Sequence, residues 1–228
     1  MPLLNARAVQ PVHTTASPVI GFPSCCGTVT PSPAPRRPLA PCHLALKSTI
    51  YKATLQIADM DRGLYADHTL TLALHPSETE ERLMVRLLAF ALSVPEDDHD
   101  GALVFARGLS DTDEPDLWRH ALDGTLRQWI EVGQPDERRL LRACGRAGQV
   151  GIWAYAASTP IWWQGLATRM ARQRNLAVWQ LPAAQSQALG ALAERSMQLQ
   201  VNVQEGQVLV VHGERMVEIH PQRLHPAP

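Results

Sequence analysis

The sequence predicts a mixed α/β fold in which helices cover both faces of a sheet. Alternating apolar and polar residues indicate strands, and capped segments with apolar residues on one side indicate helices. From Ser77 onwards the two kinds of segment interleave in the order helix, strand, strand, strand, helix, strand. Of the 228 residues, 45% are hydrophobic and 19% are charged, and these fractions are typical of a globular protein.

Residues 1–45 differ in composition from the rest of the chain. They hold 9 of the 18 prolines, 3 of the 4 cysteines and none of the 22 acidic residues. Proline fixes one backbone dihedral and lacks an amide hydrogen, so repeated proline disfavours both helices and sheet ladders. We therefore predict a Pro-rich disordered tail over residues 1–45 and a single folded domain over residues 46–228.

The composition also bears on location. The chain contains no run of about 18 apolar residues, so we expect no membrane-spanning helix. The tail lacks the apolar core of a secretory signal. Its arginines without acids would suit a mitochondrial transit peptide, but no amphipathic helical stretch accompanies them. The adjacent Cys25 and Cys26 lack the spacing of a metal knuckle. We expect a cytoplasmic protein in a reducing compartment.

The first elements of the domain are predicted to be a hairpin and a helix. Apolar and polar side chains alternate over residues 51–57 and again over residues 70–74, with a turn signal between them. Ser77 and Glu80 have the spacing of a capping box, in which each side chain accepts a hydrogen bond from the other residue's backbone N–H. The helix that they open should run to about Val94.

The remaining elements follow the same two patterns. We predict strands at residues 103–107, 126–132, 150–155, 176–181, 198–204, 207–211 and 216–219, with one more strand that starts at Asp116. Further helices are expected to begin at Pro135, Ser158 and Ala183. The apolar side of the helix after Pro135 is predicted to consist of Leu140, Leu141, Cys144 and Ala147.

The sequence lacks the motifs of several common enzyme classes. There is no phosphate-cradling glycine loop, no HExxH and no GxSxG. The nine histidines are scattered, and no two of them are four residues apart, so a zinc site is not expected.

The acidic residues, in contrast, are concentrated: 18 of the 22 lie between Asp59 and Glu137. Asp116 begins one predicted strand and Glu131 lies near the end of the next, so a hairpin would bring the two carboxylates together. Such a pair suits a hard cation such as Mg²⁺, and Glu78, at the head of the first helix, is a candidate third acid. Asp116 could instead simply start a turn, and Glu78 would gain from the helix dipole whatever its function.

Four runs of the sequence resemble the YaeQ family: ALKSTIYKATLQIADMDRGLYADHTLTLALHPSETEERLMVRLLAF, GLSDTDEPDLW, WIEVGQPDERRLLRACGRA and IWW. The resemblance extends over residues 45–228. It implies a branch of the PD-(D/E)XK restriction-endonuclease-like superfamily, with an αβββαβ core and extra strands. Members of that superfamily mostly hydrolyse DNA or RNA with Mg²⁺, and their motif carboxylates correspond to Asp116 and Glu131.

The chain departs from this nuclease motif at one position. The motif lysine, two residues after the strand carboxylate, is replaced by Gly133, which Gln134 follows. Gln134 could orient a water molecule but carries no charge, and Arg138 or Arg139 could supply a cation from the helix. On this interpretation Glu78, Asp116, Glu131 and Gln134 are the catalytic candidates, and Asp116 and Glu131 are the metal ligands.

A set of arginines suggests what the partner could be. Arg138, Arg142 and Arg146 are spaced by four residues and would line one face of a helix. Such a row of cations could bind the phosphate backbone of a nucleic acid. It could equally be a solvent-exposed face with no partner. Three functions stay open: a Mg²⁺-dependent phosphodiesterase acting on DNA or RNA, a non-catalytic nucleic-acid- or protein-binding regulatory protein that retains the nuclease fold, and a structural partner of another enzyme.

Overall fold

The computed structural model describes residues 49–107 and 113–226 of the chain. The predicted tail, residues 1–45, lies outside the described residues. The strands of the described part are β1 (Thr49–Asp59), β2 (Leu64–Leu74), β3 (Leu103–Phe105), β4 (Leu117–His120), β5 (Leu126–Val132), β6 (Gln149–Ala154), β7 (Leu176–Gln180), β8 (Ser196–Gln204), β9 (Gln207–His212), β10 (Arg215–Ile219) and β11 (Gln222–His225). Its helices are α1 (Glu80–Ser93), α2 (Glu137–Arg146), α3 (Thr159–Met170) and α4 (Ala183–Gly190).

The described strands form two mixed sheets. The first sheet has the order β10-β9-β8-β1-β2, and the second has the order β11-β7-β6-β5-β4-β3. In the second sheet β5, β6 and β7 are parallel, whereas β3 and β4 run antiparallel to their neighbours. The predicted mixed α/β class is confirmed. The division into two sheets could not be predicted, because β1 pairs with β8 from the far end of the chain and no local pattern encodes that pairing.

Helix α1 lies between the two sheets. Every residue from Leu83 to Ala91 is buried, and all of them except Arg86 are apolar. A helical segment that is apolar on nearly all sides is normally buried in this way. Phe90 joins the two layers, because its ring stacks on Phe105 beside the second sheet and meets the edge of His68 in the first. A separate apolar cluster, which includes Leu140, Ile152 and Met170, packs α2 and α3 against the other face of the second sheet.

Two local predictions about helix ends and faces are wrong. The N-cap of α1 is Thr79, whose side chain accepts from the backbone N–H of Arg82. Ser77 instead hydrogen-bonds His75, and Glu80 accepts from the Tyr51 hydroxyl, so the predicted capping box does not form. In α2 the predicted apolar residue Leu141 is 42% exposed.

The helices of the described part are short. The longest, α1, has 14 residues, and none of the helices in these ranges is long and apolar enough to cross a membrane.

Candidate functional site

The head of α1 carries a buried acid and two arginines at helical spacing. Glu78 precedes the helix, and Arg82 and Arg86 follow at intervals of four residues, so all three project to the same side. Arg86 is 5% exposed, and its guanidinium donates to both oxygens of Glu78, at 3.0 and 3.2 Å. Arg82 Nε lies 3.7 Å from Glu78 Oε1. The charge of Glu78 is therefore compensated by two arginines of the helix that it precedes.

Asp116 joins the second sheet to the same arginines. Its Oδ1 accepts from Arg82 at 2.6 Å and lies 3.5 Å from Arg86 Nε. Its Oδ2 accepts from the backbone N–H of Val132 at 2.8 Å, at the end of β5. Glu78 and Asp116 thus face Arg82 and Arg86 across a buried network with two charges of each sign.

Glu131 lies in β5 and has separate partners. Its Oε1 accepts from the indole N–H of Trp129 at 2.6 Å, and its Oε2 accepts from Arg139 of α2 at 2.6 Å. Burial raises the pKa of this carboxyl above its usual value, the hydrogen bonds from Arg139 and Trp129 oppose that rise, and the charge of Asp116 adds to it.

Gln134 forms hydrogen bonds with residues at the start of α3. Its amide nitrogen donates to Ser158 Oγ at 3.1 Å and to Thr159 Oγ1 at 3.2 Å, and its oxygen accepts from Ser158 Oγ at 3.2 Å. Gln134 therefore ties the segment before α2 to the start of α3. Positioning a water molecule would require the amide to leave these hydroxyl groups.

Gly133 adopts a backbone conformation that would strain a lysine at the motif position. Its φ is +114°, a conformation that favours glycine, and a Cβ added there would lie 3.4 Å from the guanidinium of Arg82. Arg82 also donates to the carbonyl of Val132. The sequence suggested Arg138 or Arg139 as a substitute cation, but the guanidinium beside Gly133 comes from α1.

The carboxylates meet at one end of the second sheet but do not form a cation site in this arrangement. Each of the four carboxylate oxygens of Asp116 and Glu131 accepts a hydrogen bond, Asp116 from Arg82 of α1 and Glu131 from Arg139 of α2. Within the described ranges, no three His, Cys, Asp or Glu side chains are grouped so that they could hold a metal ion. The donor set as it stands therefore does not fit Mg²⁺.

The predicted arginine face of α2 is exposed. Arg138, Arg142 and Arg146 all face solvent. Arg142 pairs with Asp113 at 2.6 Å, and the guanidinium of Arg146 lies over the ring of Trp129, 5.4 Å from its centroid. Arg138 and Arg146 form no ion pair with any described residue.

Three residues at the site were missed by the sequence interpretation: Arg82, Arg86 and Tyr155. Arg139 was suggested as a nearby cation, and it lies against Glu131. The spacing of Glu78, Arg82 and Arg86 could have revealed the first pair of arginines, because residues four apart are neighbours on a helix. Tyr155 follows β6 and lies within reach of the charge of Arg82. Burial raises the pKa of this phenol, while Arg82 opposes the rise.

We predict that Glu131 makes stability depend on pH. Because the folded state raises the pKa of this carboxyl, the folded chain binds more protons than the unfolded chain between the ordinary value of 4.5 and the raised one. This contribution to the free energy of unfolding therefore falls as pH rises through that window. Glu131→Gln should remove the fall, measured by urea unfolding between about pH 4 and about pH 8.

The control for this prediction is Glu214→Gln, which changes an exposed acid outside the site. Its pH profile should follow that of the unmodified protein. A Glu131→Gln profile that is also parallel to the unmodified one would show that Glu131 does not titrate differently in the folded state.

Comparison with known proteins gives a consistent result. The family model described as YaeQ protein matches residues 44–221. The "Uncharacterized protein YaeQ" of Salmonella typhi is 43% identical over 177 residues, covering 77% of this chain and 95% of the relative. The protein of the same description from Escherichia coli (strain K12) is 41% identical over 178 residues, covering 78% and 96%.

Two solved structures are similar to this chain. The crystal structure of YaeQ protein from Xanthomonas axonopodis pv. citri has 48% identity and a TM-score of 0.74, covering 78% of this chain and 98% of that one. The crystal structure of YaeQ protein from Pseudomonas syringae has 38% identity and a TM-score of 0.72, covering 78% and 96%.

Proposed function

This chain belongs to the YaeQ family, and we propose that it binds nucleic acid with a nuclease-like domain whose carboxylates are ion-paired and do not cleave. The observation that carries this proposal is the pairing of all three candidate acids with arginine. Glu78 and Asp116 share Arg82 and Arg86, and Glu131 holds Arg139.

The element order supports the nuclease-like part of the proposal. The run α1-β3-β4-β5-α2-β6 has the αβββαβ order that the PD-(D/E)XK resemblance implies, and the remaining strands are additions to it. Asp116, directly before β4, and Glu131, near the end of β5, would be the motif carboxylates. Beside them, the motif lysine is replaced by a glycine that adopts a positive φ.

The charge of α2 supports nucleic acid as the partner. Arg138 and Arg146 are exposed cations without an acidic partner among the described residues, and they lie two turns apart on one helix. Guanidinium groups bind phosphate strongly, and contacts of this kind provide affinity that does not depend on sequence. We therefore expect binding that weakens steeply with salt.

The experiment is a salt titration of duplex DNA and single-stranded RNA binding, for the unmodified chain and for Arg138→Gln/Arg146→Gln. If each arginine contacts one phosphate, the slope of log affinity against log salt for duplex DNA should become about 2 units shallower in the double variant. A double variant that binds as tightly as the unmodified chain, with an unchanged slope, would remove α2 from the interface.

The matched control is Arg195→Gln/Arg215→Gln. It removes two exposed charges near the first sheet, where Arg215 pairs with Glu194. Its salt slope should equal that of the unmodified chain. An equal loss of nucleic-acid affinity in both double variants would indicate a general effect of net charge rather than a defined binding surface.

A Mg²⁺-dependent phosphodiesterase acting on nucleic acid is the second candidate. It is favoured by the position of Asp116, Glu131 and Gln134 around the end of β5, where the charge of Asp116 also raises the pKa of Glu131. This candidate requires Arg82 and Arg139 to withdraw from the carboxylates, because both carboxylates are fully hydrogen-bonded in the arrangement described.

One cleavage assay distinguishes the two candidate functions. A panel of DNA and RNA substrates, incubated with Mg²⁺ or Mn²⁺, should remain intact if the first candidate is right. Cleavage that is metal-dependent and disappears in Glu131→Ala would instead support the second. The control for contaminating nuclease is Glu214→Ala, purified in parallel by the same procedure. This variant should give the same result as the unmodified chain.

A further inference from the structure

A second feature of the molecule lies at the opposite end of α1. The helix has 14 residues, so at about 1.5 Å per residue its ends lie roughly 21 Å apart. Beyond Ser93 no helix fills the space between the two sheets in the described part of the chain, and a cavity of about 860 Å³ remains there. We refer to it as the interlayer cavity. Its volume lies within the range of small-molecule sites.

Two small residues on the second sheet, Gly151 and Ala177, leave this space open. Ile130, Gly151 and Ala177 are aligned across β5, β6 and β7 and line the floor of the cavity. A Cβ added to Gly151 would lie 3.7 Å from Ile130, which is an ordinary contact. Glycine is therefore not required at this position by backbone strain or by crowding, and its effect is to leave room.

One side of the floor is aromatic. Trp153 of β6 stacks on Trp179 of β7 with 5.6 Å between ring centroids and 11° between planes. Arg223 of β11 places its guanidinium 5.4 Å from the Trp179 centroid. All three side chains line the cavity and lie on neighbouring strands in register. They provide a flat apolar wall that ends in a cation.

The other side of the floor is polar. Arg119, Gln128 and Gln149 are aligned across β4, β5 and β6 and line the cavity. The Gln128 amide donates to the Ser93 carbonyl at the end of α1. The Nε of Arg119 is buried and has no hydrogen-bond partner. A buried donor without a partner costs free energy, and a bound acceptor would recover that cost if the guanidinium turned toward the cavity.

The charges of the lining favour an anion. Asp59 is paired with Arg62, and the carboxylate of Asp61 accepts from the backbone N–H groups of two residues of the β8–β9 turn. Glu96 is the other acid among the described lining residues. Against it stand three arginines that form no ion pair with any described residue: Arg119, Arg174 and Arg223.

We infer that the interlayer cavity binds a planar, phosphate-bearing heteroaromatic ligand of the mononucleotide class. The ring would lie on Ile130, Gly151 and Ala177 beside the indoles, and the arginines would hold the phosphate. Carboxamides such as those of Gln128 and Gln149 suit the donor and acceptor edges of a nucleobase. An acyl chain would offer no hydrogen-bond partner to Gln149 or to the side-chain oxygen of Gln128, whose amide nitrogen already donates to Ser93. This site is independent of the arginine face of α2.

The test is isothermal titration of the full chain with AMP, GMP, CMP and UMP, and with inorganic phosphate and myristate. At least one nucleotide should bind with a dissociation constant below about 100 µM. Gly151→Leu, which fills the floor, should abolish this binding, whereas Gly151→Ala should preserve it. Arg119→Gln should weaken it by about tenfold or more, because one charge-assisted hydrogen bond is lost.

Three results would overturn the inference: no nucleotide bound with a dissociation constant below about 100 µM, phosphate or myristate bound as tightly as any nucleotide, or unchanged nucleotide binding in both Gly151→Leu and Arg119→Gln. Thermal unfolding identifies a variant that has not folded, and if Gly151→Leu fails in this way, Arg119→Gln decides alone. Arg138→Gln/Arg146→Gln should bind the nucleotide normally, which separates this site from the proposed nucleic-acid surface.

Discussion

Replacing Asp116 with alanine should lower the free energy of unfolding by about 3–5 kcal/mol, measured in urea. The carboxylate is 5% exposed and accepts from Arg82 and from the backbone N–H of Val132, while Arg86 lies 3.5 Å away. Without it, the buried guanidinium of Arg86 and the half-buried one of Arg82 would share the single charge of Glu78. Removing one partner from a buried ion pair is costly, because the remaining charge has lost its solvent and its counter-ion.

The matched control is Asp100→Ala. Asp100 pairs with Arg127 at 3.0 Å, but both side chains are about half exposed. Water can replace such a partner, so we expect a loss of about 0–1 kcal/mol. The difference between the two variants reports the burial of Asp116 together with its contacts to Arg86 and to the Val132 N–H, which have no counterpart at Asp100.

The sign of the Asp116 effect also separates the two candidate functions. In a cluster of acids that awaits a cation, removal of one carboxylate relieves repulsion and stabilises the metal-free protein. In an ion-paired cluster the same change is destabilising. Stabilisation by Asp116→Ala without metal would contradict the arginine pairing described above and would favour the phosphodiesterase.

The sequence was sufficient to locate the acids and to suggest Arg139 as a nearby cation, but not to find Arg82 and Arg86. Asp116 and Glu131 were predicted to meet because a hairpin would join their two strands, and β4 and β5 do pair in this way. Their arginines come from α1 and α2, and no spacing rule links Arg82 to Asp116, which lies 34 residues away. Which helix packs on which face of the sheet is decided by the assembled core.

The pairing of strands into two sheets also could not be predicted from local sequence. Strand positions followed from local alternation, so residues 126–132 were predicted with the bounds that β5 has. The pairing of β1 with β8 depends instead on burial of α1 between two layers, which a local pattern cannot express. The interlayer cavity is a consequence of the same arrangement, because it forms where α1 ends before the two sheets do.

Introducing the motif lysine as Gly133→Lys should destabilise the fold by about 1–3 kcal/mol and should not produce cleavage. The φ of +114° strains any side chain with a Cβ, and that Cβ would lie 3.4 Å from Arg82, which already contacts Asp116 and Val132. A second cation beside this guanidinium adds repulsion. The measurements are urea unfolding and the Mg²⁺-dependent cleavage assay.

Gly124→Lys is the control for this last prediction, because Gly124 has a φ of +83° and an added Cβ would meet no atom within 4 Å. It should cost about 1 kcal/mol from the backbone alone. If Gly133→Lys is no less stable than Gly124→Lys, the space beside Arg82 is open. If it also cleaves nucleic acid with Mg²⁺, the missing lysine was the single barrier to catalysis, and the carboxylates release their arginines when the metal binds.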